Sequence, residues 1–164
     1  MIVASIFLRV VAVLGFAAWL VPVCLAPDHF GEPRPQERGP IAEQFIKKRL
    51  INWQERLKLA DWKISIRMVR SDQLRRGTLG SIRWDATTKA ATIRVLHPTE
   101  YQASYDSTLR DMEFTIVHEL IHLVLSSLPR SEASRSDEEH AVNRMAEALL
   151  NLDQAHTSPQ VRIR

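Results

Sequence analysis

The chain's 164 residues suffice for one domain and are too few for two of ordinary size. An apolar fraction of 45% is that of a soluble globular protein. The net charge of +3 is a mild excess spread over Lys47-Lys48-Arg49, Arg75-Arg76, Arg162 and Arg164, and no basic run is interleaved with aromatic residues, which argues against a nucleic-acid partner.

Residues 1–27 are expected to be a separate object, a signal peptide or a membrane anchor, the alternative being a start placed too early or an apolar helix packed on the domain. Arg9 is their only charged side chain, and the run from Val10 to Pro27 carries no charge. Apolar residues precede the arginine, and Pro27 disfavours cleavage after Ala26. The single cysteine, Cys24, lies in this segment and lacks the preceding small residue of a lipoprotein site. It excludes an internal disulfide and leaves no thiolate for a metal site in the folded part. The expected location is the cell envelope, exported or membrane-anchored, with a cytoplasmic product if the segment is not a true signal. Residues 28–40 are rich in proline, glycine and charge and are expected to be a linker.

The folded domain is expected over residues 41–152. Ile41, Phe45, Ile46, Leu50, Trp53 and Leu57 recur at three- and four-residue spacings, which predicts an amphipathic helix over 41–60. Alternation predicts a strand over 62–69, with Trp62, Ile64, Ile66 and Met68 inward, and two more over 81–84 and 90–96 joined by a turn. The hairpin after a first strand predicts a small, mainly antiparallel sheet. Residues 99–108 are polar, and a second helix is predicted over 111–128, ended by Pro129. A loop over 130–136 precedes a last helix over 137–152. Ser136 or Asp137 is its candidate N-cap, and Val142, Met145, Ala146, Leu149 and Leu150 form its core face. Residues 153–164 read as a flexible tail.

The second helix carries the chemistry. Residues 118–122 read H-E-x-x-H inside the run from Phe114 to Leu125, which is apolar on every side except at the motif. A helix apolar all round is buried. Burying two imidazoles and a carboxylate together calls for a common compensating partner. His118 and His122, at i and i+4, share one helix face and can hold one metal ion. Glu119 between them can serve as general base toward a water at that ion. A catalytic zinc site needs a third protein ligand. The last helix opens with Glu138-Glu139-His140, where helical phase turns His140 away and leaves both glutamates as candidates. An acidic pair at a helix N-terminus also interacts favourably with the helix dipole.

In its order of elements the chain resembles the gluzincin zinc metallopeptidases. The matching pieces are His118-Glu119-Leu120-Ile121-His122 and Glu138-Glu139 in EEHAVNRMAEALL. The resemblance is to the smallest members, the minigluzincins, and to compact HExxH peptidase-like proteins of phages and bacteria, over about residues 41–152. It implies an α+β fold with a minimal zincin-like core, a Zn²⁺ cofactor, a peptide or protein substrate, and catalysis by Glu119. The family's third-ligand signature reads Asn-Glu with an Asp one turn later. Here Glu139 has Asn143 one turn later and lacks the preceding Asn. Alignment with that signature makes Glu139 the third ligand, with Glu138 as the alternative. Tyr101, Tyr105, His97, His140 and His156 are candidate oxyanion stabilisers, and the strand between Gly80 and Trp84 is a candidate edge for an extended substrate. Two other readings compete with a peptidase: a non-catalytic zinc-binding interaction module, and a membrane-tethered protein with a structural metal.

Overall fold

The computed structural model describes residues 32–128 and 135–157; the N-terminal segment and the end of the chain lie outside the described residues. Helix α1 spans Pro35–Arg56. It starts earlier than the composition predicts, so residues 35–40 are helical rather than linker. Pro35 occupies the first turn, where a missing N–H costs nothing. The Glu37 carboxylate accepts from the Arg34 N–H at 3.1 Å. Pro40 removes one internal hydrogen bond, that to the carbonyl of Gln36, an exposed residue in the first turn. Glu32 also belongs to the packed unit, since its carboxylate accepts from the Tyr105 N–H at 2.8 Å.

Ala42, Ile46, Leu50 and Trp53 face the core from α1, whereas Ile41 is exposed. The helix ends in a Schellman arrangement. Lys58 takes a left-handed φ of 56°, the Lys58 N–H donates to Glu55 O at 3.0 Å, and the Leu59 N–H donates to Gln54 O at 2.9 Å. Leu59 is buried behind this turn and aims the chain into the sheet.

Strands β1 (Lys63–Val69), β2 (Gly80–Asp85) and β3 (Ala90–Leu96) form one sheet in the order β1-β3-β2. The sheet is mixed. β3 is antiparallel to β2, as the hairpin predicts, and parallel to β1, with Lys63 opposite Ala90 and Val69 opposite Leu96. The parallel pair arises because residues 70–79 carry the chain past the end of β3 to the far edge before the hairpin returns it to the middle. Central β3 buries Ala91, Ile93 and Val95.

Helix α2 spans Tyr105–Val124 and begins six residues before the predicted start. Ser104 caps it by accepting from the Ser107 N–H, and Tyr105, Thr108 and Met112 are buried along its first turns. A 3-10 turn, Leu125–Ser127, ends it. Helix α3 spans Arg135–Thr157, so Ser136 and Asp137 lie inside its first turn rather than capping it. Val142 and Ala146 are fully buried; Met145, predicted inward, is exposed. Helix α2 is the centre of the domain, packed on α1, α3, β2 and β3. Ile116, Val117 and Leu120 have no exposure, and the architecture is α+β.

A polar clamp ties the three helices. The Arg49 guanidinium on α1 pairs with Glu113 on α2 and with Asp153 on α3, the latter at 2.6 Å. Trp53 Nε1 donates to Glu113 at 2.8 Å, and Arg56 reaches Asp153 at 2.6 Å. Asp153, expected to open a loose tail, is therefore an anchor, and the helix continues to Thr157. Arg49→Ala leaves two half-buried carboxylates short of their main partner. We expect a loss of about 2–3 kcal/mol, below the value for a fully buried pair because the site keeps some solvent, read from urea unfolding. Hydrogen bonding to Arg49 first, then Arg56, holds the Asp153 carboxyl below its ordinary range. Its folded pKa lies below its unfolded one. Its contribution is therefore complete above the ordinary value near 3.8 and disappears as pH falls through the depressed folded value. Acid titration of stability should show a smaller loss in Arg49→Ala than in the parent.

Candidate metal centre

His118 and His122 stand one turn apart on α2, and their rings meet edge to face with Nε2 atoms 3.0 Å apart. Helix α3 brings Glu139 to the same point. Its two carboxylate oxygens lie 3.4 Å from His118 Nε2 and 3.5 Å from His122 Nε2. His118, His122 and Glu139 thus form a group that can hold a metal ion.

The outer nitrogens of the rings identify what the inner ones can do. His122 Nδ1 lies 3.1 Å from a Glu138 carboxylate oxygen. An ionised carboxylate only accepts, so this nitrogen carries a proton, and in the neutral ring Nε2 is the nitrogen left to bind a metal. His118 Nδ1 donates to the Asn143 side-chain oxygen at 2.9 Å, with the same consequence. Two imidazole Nε2 atoms and a carboxylate therefore face one another across 3.0–3.5 Å. Burial, reinforced by neighbouring His122, holds His118 below its ordinary pKa, so a proton is a poor resident for this position. The observed 3.0 Å is close to the ~3.3 Å separating two nitrogens that each lie ~2.0 Å from one tetrahedral ion. The donor set fits a divalent metal.

Glu138 does not join the group. It braces His122 from behind, as Asn143 braces His118, and such partners fix ring orientation and ligand basicity. Glu139 and Glu138 are sequence neighbours about 100° apart around α3. The burial of Val142 and Ala146 turns the helix so that Glu139 faces the rings.

Glu119 is 7% exposed and points to the sheet side of the same cleft. Burial first, then the negative charge of Glu139, pushes its carboxyl up to about 7; the Ile82 N–H and Arg94 work the other way. A cation held by its neighbours would favour the ionised form. Strand β2 approaches closely here because residue 80 has no side chain. A Cβ at Gly80 would lie 2.3 Å from Thr115 Cγ2 and 2.8 Å from the Arg94 carbonyl. Thr115 cannot yield easily, since its hydroxyl donates to Asp111 O at 2.8 Å. Gly80→Ala should therefore cost about 1–3 kcal/mol in unfolding experiments. Thr115→Ser, which deletes the clashing methyl, should recover part of that loss in the double variant; full additivity of the two changes would contradict the contact.

The cleft above these residues has a volume of about 690 Å³. Phe114, Leu79 and Trp84 give it apolar walls, and Arg75 and Ser81 add polar groups. None of the five candidate oxyanion stabilisers lines it. Tyr105 donates to Arg38 O at 2.9 Å, His97 is bound to Thr99, and His156 to Leu152 O. His140 is exposed on α3, and Tyr101 packs against the core with its hydroxyl buried. Arg75 gave no sequence signal for a site, and Gly80 entered only as one end of the candidate substrate edge. Gly80 could have been suspected, because a glycine opening a strand often marks a close backbone approach. No family model, curated protein or solved structure matches this chain.

Proposed function

We propose that the protein is a zinc-dependent metallopeptidase in which His118, His122 and Glu139 hold the ion and Glu119 is the general base. The observation that carries this reading is the convergence of two imidazole Nε2 atoms and the Glu139 carboxylate beside a separate buried carboxylate. Zinc is chosen over harder cations because two imidazoles and one carboxylate suit it, and when bound it polarises a carbonyl and acidifies a water. Glu119 takes the proton of the attacking water on a carboxylate oxygen and passes it to the leaving amine. Glu138 and Asn143 keep both rings in the tautomer that leaves Nε2 open.

A peptide substrate is supported by the sheet edge. The Leu96 N–H donates to Leu79 O, so paired residues alternate along β2 and the backbones of Gly80 and Ile82 turn away from β3. In this reading an extended peptide pairs antiparallel with that edge at Gly80, beside the Ile82 N–H that bonds Glu119. The charge-free N-terminal run supports placement at the cell envelope. It lies outside the described residues, among which no helix is long and apolar enough to cross a membrane.

The test is exposure of the zinc-loaded full chain to a mixture of unstructured peptides, with new termini read by mass spectrometry. Cleavage that stops on chelation and returns with zinc is expected. Absence of cleavage by fully metal-loaded protein defeats the peptidase reading.

A further inference from the structure

We propose that Arg75 selects a substrate carboxylate on the leaving-group side of the scissile bond; this rests on the peptidase reading above. Among the described Lys and Arg residues, Arg75 alone lines the cleft, which is otherwise charged by Glu119, Glu138 and Glu139. No ion pair or side-chain hydrogen bond holds its guanidinium among the described residues. A cation facing a cleft without an internal partner is available to an incoming anion.

Its backbone, by contrast, is fixed. The Arg75 carbonyl accepts from both the N–H and the hydroxyl of Thr78, at 3.0 and 2.8 Å. Gly77, at the third position of this turn, has the φ of +81° that a turn of this kind requires. Just before the turn, Arg94 Nη1 donates to Gln73 O at 2.9 Å while its Nε donates to Ser81 Oγ at 2.9 Å, tying the loop to β2. Just after it, Leu79 O accepts from the Leu96 N–H at 2.8 Å and extends the sheet ladder. The loop is therefore a built wall of the cleft.

Strand direction gives the side. Glu119 lies opposite the Gly80–Ile82 stretch, and the turn from Arg75 to Thr78 leads through Leu79 into Gly80, so Arg75 borders the cleft at the Gly80 end of β2. A peptide antiparallel to β2 runs its C-terminal part toward that end. Arg75 then meets residues after the scissile bond. Its carboxylate can come from an Asp or Glu side chain there or from the peptide's own C-terminus.

The experiment measures binding, so that it reads independently of turnover. Zinc-loaded full chain carrying Glu119→Gln is titrated with fluorescent peptides. In these a single glutamate or glutamine is walked through a neutral sequence, each with a free or an amidated C-terminus. Glutamate in one C-terminal register, or the free C-terminus, is expected to tighten binding about fivefold. The register dependence separates the side-chain source from the terminal one. Adding Arg75→Gln should bring the glutamate-to-glutamine ratio to about one, adding Arg75→Glu should invert it, and adding Arg75→Lys should retain part of it. A preference that survives Arg75→Gln, or no preference in the parent, overturns the proposal. Cleavage of the neutral peptides by chain with Glu119 intact judges the peptidase reading separately.

Discussion

Glu119→Gln is expected to keep zinc at the parent's affinity and to lower kcat for peptide hydrolysis by about 10²–10⁴-fold, with KM little changed. The amide matches the carboxylate in shape, so packing beside Gly80 is preserved. It cannot take a proton from water, and general-base catalysis contributes gains of that size. The substitution also has a stability signature. In the metal-free protein Glu119 is a buried carboxyl with its pKa pushed up to about 7, chiefly by desolvation. Glutamine resembles its neutral form, so the metal-free variant should be at least as stable as the parent in urea. Undiminished turnover, with contaminating protease excluded, would rule out the proposed base.

Glu139→Ala should weaken zinc binding more than Glu138→Ala. The two carboxylates differ in what they face. Glu139 lies within 3.4–3.5 Å of both Nε2 atoms, whereas Glu138 touches the far nitrogen of His122. Loss of an outer partner costs roughly 10–100-fold in metal affinity, because ring orientation and basicity loosen while all ligands remain. Loss of Glu139 removes a ligand, and its cost should exceed that range. Competition with a zinc chelator of known affinity gives both numbers on one scale. The reverse order would place Glu138 in the inner position and imply a different rotation of α3.

The H-E-x-x-H element was legible because three polar residues sit in a run otherwise suited to a core, and their burial requires compensation. The strands were legible from alternation alone, as at Ile64 and Ile66 against Ser65 and Arg67. What was not legible depends on partners distant in sequence. Asp153 reads as tail until Arg49 is brought to it. The parallel pairing of β1 with β3 depends on where residues 70–79 cross, which no local pattern encodes. Proline and glycine in residues 35–40 imitate a linker, although Pro35 opens a helix that Glu37 then caps. The choice between Glu138 and Glu139 turned on helix rotation. Helical phase left both glutamates as candidates, and the packing of Val142 and Ala146 fixes which carboxylate meets the histidines.

The most direct measurement is the zinc content of the purified full chain and of its His118→Ala and His122→Ala variants, by elemental mass spectrometry after removal of loosely held metal. We expect about one zinc per chain in the parent and none at stoichiometric level in either variant, with the fold retained by circular dichroism. Zinc content unchanged in both variants, or absent from a correctly folded parent supplied with the metal, would contradict a centre built on His118, His122 and Glu139.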